Sequence, residues 1–83
     1  MRVIKDEGNE LEIEIDDANF VNPLVAELLR DHDVEYAGNI KDHPFQNTTR
    51  LILRTKKGDA RKALDRAIAG LRADLEDIRE KLD

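Results

Sequence analysis

The last quarter of the chain constrains it most: from Asp59 to Leu82 only Gly70 interrupts a helical pattern. Apolar residues fall at Ala60, Ala63, Leu64, Ala67, Ile68, Leu71, Leu75, Ile78 and Leu82. The first half of that stripe is broad and rich in alanine, as in a helix laid closely on a sheet. The second half narrows to 71, 75, 78 and 82, and these 4-3-4 steps make the a/d seam by which one helix packs on another. About 24 residues at 1.5 Å each give roughly 36 Å of helix. A compact chain of 83 residues is only roughly 30 Å across. The far end is therefore expected to overhang its own sheet and leave Leu71, Leu75, Ile78 and Leu82 without a home. Burying the four is worth about 6 to 12 kcal/mol before the costs of association. The bland alternative folds this end back on another helix of the same domain. Arg61–Asp65, Arg72–Glu76 and Asp77–Lys81 are i,i+4 pairs expected to add tenths of a kcal/mol each.

The preceding residues supply a sheet. Arg2 to Lys5 is predicted as a strand, and Asp6-Glu7-Gly8-Asn9 as the turn after it. From Glu10 to Asp16 the sequence alternates, with Leu11, Ile13 and Ile15 on one face and Glu10, Glu12, Glu14 and Asp16 on the other. Period-2 alternation marks a strand wet on one face only. A helix follows, with Asn22 as N-cap and Pro23 in its first position, or starting a turn earlier from Asp17 or Asn19. Its stripe is Leu24, Val25, Leu28 and Leu29, and Asp31-His32-Asp33 ends it. Val34 to Ile40 is a strand with Val34, Tyr36, Gly38 and Ile40 on one face. Lys41 to Asn47 contains His43-Pro44 and breaks regularity. Thr48 to Thr55 is a further strand, with Leu51 and Leu53 opposed to Ile52. Lys56-Lys57-Gly58 turns the chain and Asp59 caps the long helix. The order β-β-α-β-β-α implies an α+β fold, one domain over 1–83, with both helices on one face of an antiparallel sheet.

So short a chain buries a thin core, about 60 to 65% of its unfolded surface. It has no cysteine, hence no disulfide or thiolate-zinc staple. A partner subunit is the remaining support. No apolar run approaches the length of a membrane span. Met1 to Glu14 lacks the basic and apolar regions of a signal peptide, so a soluble cytoplasmic protein is expected. The net charge of −5 hides an asymmetry: residues 1–33 hold three basic and ten acidic side chains, residues 34–83 eleven and nine. The only basic concentration is Arg50, Arg54, Lys56, Lys57, Arg61, Lys62 and Arg66. Nucleic-acid binding wants a dominant positive field, so this run is expected to be solvated or to face a subunit.

Chemistry is sparse. There is no Gly-rich phosphate loop, no zinc-ligand spacing and no nucleophile elbow. His32 and His43 lie apart in separate loops. Asp31-His32-Asp33 places adjacent side chains in different directions, which suits no metal. Asp16-Asp17 is better explained by the start of a helix than by acid–base work. No catalytic residue, metal, cofactor or small-molecule ligand is expected.

Four stretches together resemble the small α-like subunit family of archaeal RNA polymerase, subunit L. The strand Leu11 to Ile15 runs into Asp17-Ala18-Asn19-Phe20-Val21-Asn22-Pro23-Leu24, similar to the family's D-H-T-L/F-G-N-L-L. Asp31 to Gly38 resembles its D-x-x-V-x-x-A-G-Y. His43-Pro44 matches the H-P that follows, and Leu51 to Thr55 with Ala63, Leu64 and Ala67 matches the closing strand and helix. The likeness covers residues 10 to about 75 in one order; Asp17, Asn22, Ala37, Gly38, His43 and Pro44 are its motif positions. Ala18, Asn19, Val21, Pro23 and Asn39 depart from the pattern. The resemblance implies a non-catalytic subunit that pairs with the larger, D-type α-like subunit and forms the platform on which the catalytic subunits assemble. It implies an interface built from helices of each partner, here Phe20, Leu24, Leu28, Leu71, Leu75, Ile78 and Leu82. The competing readings are a free-standing homodimeric domain using the same seam and a small nucleic-acid-binding module.

Overall fold

The computed structural model describes residues 2–16, 18–41 and 48–82, the side chain of Ala18 excepted. Six elements follow one another: β1 (Arg2–Glu7), β2 (Glu10–Ile15), α1 (Ala18–Leu29), β3 (Val34–Ile40), β4 (Thr49–Thr55) and α2 (Ala60–Leu82). The strands form one antiparallel sheet in the order β1-β2-β4-β3. This is the α+β arrangement predicted from the alternation and the helical stripes.

β1 runs two residues further than expected. Asp6 pairs with Leu11 and Glu7 with Glu10, so the turn is Gly8-Asn9 alone. Gly8 has φ +63°, which fits the first central position of a type II′ hairpin. A residue with a side chain resists that conformation.

Leu11, Ile13 and Ile15 of β2 face the core beside Leu51, Leu53 and the buried Thr49 and Thr55 of β4. β3 departs from strict alternation. Its register with β4 shifts between Val34 and Tyr36, so Val34 and Ala37 point inward. Tyr36, predicted to share a face with Val34, lies on the opposite one, 51% exposed. An extra residue in one strand inverts every side chain beyond it.

α1 begins at Ala18, the earlier of the two starts. Pro23 is therefore inside the helix and not in its first position. Its ring sits on the solvent side, which limits the disruption to one missing amide donor. The core stripe is Val21, Leu24 and Leu28, all fully buried. Leu29, expected in that stripe, is 58% exposed. Asp17, His43 and Pro44 lie outside the described residues.

The start of α2 is fastened at several points. The Asp59 carboxylate accepts from the Arg61 amide at 2.9 Å, an N-cap interaction. The Ala60 amide donates to the Gly8 carbonyl at 2.8 Å, and Arg61 pairs with Asp6 at 3.1 Å. Arg61 thus reaches across to β1 and does not make the predicted pair with Asp65. Both helices lie on one sheet face, α1 over β3 and β4, α2 over β4 and β2.

Candidate partner interface

Along α2 the apolar stripe is continuous but its surroundings are not. Ala60, Ala63, Leu64 and Ala67 are buried on the sheet. Ile68 and Leu71 are half-buried against the same core. Beyond Leu71 every described residue of the helix is exposed, with Leu75 at 64%, Ile78 at 54% and Leu82 at 81%. The helix thus outruns its sheet, as the length argument required. The principal extents are 41 × 35 × 17 Å.

The other residues expected at an interface divide. Phe20 is half-buried at the edge of the core and keeps part of its ring outward. Leu24 and Leu28 are fully buried within the chain itself and present no surface of their own. Of the motif positions, Asn22 is exposed on α1 and Ala37 is a core residue. Gly38 sits under the Tyr36 side chain, and a Cβ there would stand 2.7 Å from the Tyr36 hydroxyl. Val21, where the family pattern carries glycine, fills the core under α1.

Gly70 marks the crossing of the two helices. A Cβ on it would come 2.5 Å from the Glu27 carboxylate of α1, which is mostly buried and pairs with Arg30 at 3.4 Å. In the sequence Gly70 signalled only a weakened helix; its closeness to Glu27 depends on tertiary structure.

The four arginines of the basic run are paired with carboxylates, while Lys56, Lys57 and Lys62 are exposed. Arg50 pairs with Glu12 at 3.2 Å, Arg54 with Glu10, Arg61 with Asp6, and Arg66 with Asp31 at 2.8 Å and Asp33 at 3.5 Å. On the sheet face away from the helices, Glu10 also accepts from Lys5 at 2.7 Å, and Arg2 pairs with Glu14 at 3.0 Å. The hydrogen bond from Lys5, reinforced by Arg54, holds the Glu10 carboxyl below its ordinary range, and the same bond raises Lys5. A phosphate backbone would have to displace these carboxylates to reach the four arginines.

The Asp31-His32-Asp33 turn is an Arg66 dock. Asp31 accepts from the Asp33 amide at 3.0 Å and from Arg66 Nε at 2.9 Å. The amide first and the guanidinium second hold its carboxyl below the usual range. Among the described residues no cluster of His, Cys, Asp and Glu is arranged to hold a metal ion. No described helix is long and apolar enough to cross a membrane.

Residues 9–81 match the RNA polymerase Rpb3/Rpb11 dimerisation domain family. The chain belongs to that family. It is 39% identical over 57 residues to DNA-directed RNA polymerase subunit Rpo11 of Pyrobaculum aerophilum, covering 69% of this chain and 62% of that protein. It thus spans under two thirds of that relative's length. It is 31% identical over 80 residues to subunit Rpo11 of Thermoplasma acidophilum, covering 94% of this chain and 72% of the relative. The crystal structure of DNA-directed RNA polymerase subunit L from Thermoplasma acidophilum superposes with a TM-score of 0.86 at 31% identity, over 98% of this chain and 82% of that one. As a member of the Rpb3/Rpb11 dimerisation domain family, the chain has the four-stranded sheet and two helices of subunit L.

Proposed function

We propose that this chain is the small α-like subunit of a DNA-directed RNA polymerase, a single dimerisation domain that pairs with the larger, D-type α-like subunit. The pair then serves as the platform on which the catalytic subunits assemble in the cytoplasm. The chain itself supplies no catalytic group, metal or cofactor. One observation carries this reading: a member of the dimerisation family leaves Leu75, Ile78 and Leu82 exposed in a line at the end of α2. Three such side chains are worth about 5 to 9 kcal/mol when covered, less the entropy of association. Leu71, partly buried against the core, continues the same line on the helix. The ion pairs that occupy Arg50, Arg54, Arg61 and Arg66 argue against the nucleic-acid module.

Affinity purification from native extract is expected to recover the chain with a larger α-like chain and, through it, the catalytic subunits. Leu75→Asp or Ile78→Asp is expected to abolish that recovery while leaving the sheet and residues 60–71 folded. An unpaired charge inside an interface costs several kcal/mol. Recovery of either variant with its partner at normal yield would overturn the proposal.

A further inference from the structure

Resting on that reading, we infer that Gly70 is a seat for the Glu27 side chain of α1, and that this contact sets the direction in which α2 presents its seam. Glu27 is then a positioning residue for pairing, and Gly70 is a notch in the helix instead of a point of flexibility. A glycine inside a helix lowers the folded-to-unfolded ratio about fivefold relative to alanine, so its presence needs a physical reason. The backbone supplies none. Among the described residues the glycines with positive φ are Gly8 and Gly58, and Gly70 lies within the continuous helix Ala60–Leu82. The space around it does supply one. A Cβ on Gly70 would stand 2.5 Å from Glu27 Oε1, 3.2 Å from its Cδ and 3.6 Å from its Cγ. The outer length of that side chain, and not its tip alone, lies on the glycine.

Glu27 is held in this place. Its side chain is 19% exposed, and its carboxylate pairs with Arg30 at 3.4 Å. Four residues after Glu27, Asp31 accepts from Nε of Arg66, four residues before Gly70, at 2.9 Å. The two helices therefore run antiparallel at their crossing and are joined at two consecutive turns. Ala67 is buried and Leu71 half-buried, while every described residue after Leu71 is exposed. Gly70 thus stands in the last turn of α2 that its own domain supports. Ten residues earlier the Ala60 amide is fixed to the Gly8 carbonyl at 2.8 Å. Two fixed points define a line, and the seam continues along it. A methyl group at residue 70 must either expel the Glu27 carboxylate from the notch or lift α2 away from α1, and both remove the second point.

A weak spot and a seat respond oppositely to one substitution. If Gly70 only weakened the helix, alanine would pre-order residues 71–82 and tighten partner binding by up to about fivefold. With a seat, alanine misdirects the seam and weakens binding. The test uses the full chain, with the larger α-like subunit for affinity and alone for urea melts. Gly70→Ala is expected to bind that subunit about tenfold more weakly and to gain none of the fivefold in stability that propensity alone would give. Glu27→Ala empties the notch. In that background Gly70→Ala is expected to raise the folded-to-unfolded ratio about fivefold and to tighten binding. A residue that served only the fold would show no such reversal of sign. Unchanged or tighter binding by Gly70→Ala in the otherwise wild-type chain overturns the inference, as does an equal effect with and without Glu27. If Leu75→Asp abolishes pairing while Gly70→Ala tightens it, the seam stands and only the seat is lost. If Leu75→Asp pairs normally, the proposed function fails, and the urea melts alone decide the seat.

Discussion

The two halves of α2 share one stripe and one helical register, yet the proximal half is core and the distal half is surface. Residues 60–71 rest on β2 and β4 and are pinned by the Gly8 carbonyl, Asp6 and Asp31. Residues 72–82 are exposed throughout, and among the described residues the only ion pair there is Lys81–Asp77. Amphipathicity therefore says that a helix has a partner, and only length against the size of the sheet says whether that partner is internal.

The difference is broken most directly by truncation. Leu64→Ala in the proximal half is expected to lower the unfolding free energy by about 2 to 5 kcal/mol. The same change at Leu75 should leave it within about 0.5 kcal/mol. Urea melts of the isolated chain check both, and an equal loss at the two sites would mean that the distal seam is satisfied internally.

Amide exchange sharpens the comparison without mutation. Protons before Gly70 are expected to exchange slowly and those after it fast in the free chain, the fast set becoming slow when the larger subunit is added. Gly70 weakens the helix by about 1 kcal/mol relative to alanine, and isolated helices of fewer than about 12 to 15 residues are marginal in water. Uniform protection along α2 in a monomer would contradict this.

The smallest effect is electrostatic. Asp31, held below its ordinary 3.8 by the Asp33 amide and Arg66, stabilises the fold above that value and loses this contribution as pH falls through its lowered folded value. Asp31→Asn should lower the melting temperature slightly at pH 7. It should also flatten the fall of stability below about pH 4. A variant with the wild-type acid profile would remove Asp31 from the tether that holds α2.

Most of the architecture was legible because β2 and α2 carry clean periods of two and 3.6. What escaped was what local sequence does not encode. The bulge that inverts Tyr36 relative to Val34 is a count of residues between strands and leaves no compositional mark. Pro23 after Asn22 imitates a helix start, yet the burial of Val21 and Leu24 draws the helix back to Ala18. Arg61 could be paired on paper with Asp65, but its partner, Asp6, lies 55 residues away. At the proposed interface, spacing placed Leu75, Ile78 and Leu82 on one line, and all three are exposed. It could not tell that Leu24 and Leu28 would be taken up by the core, because core and interface stripes are the same pattern.

The fastening of Ala60 to the Gly8 carbonyl has a mechanical consequence. The free part of α2 is a cantilever of roughly 16 Å at the end of a helix whose start, Ala60, is clamped by a two-residue hairpin turn. A tilt of about 5° at that clamp, roughly 33 Å from the tip, would swing the tip by about 3 Å, a large part of the spacing by which a knob finds its hole. The aim of the seam is thus set by Gly8, Asp6 and Asp59, none of which any partner on the tip needs to touch.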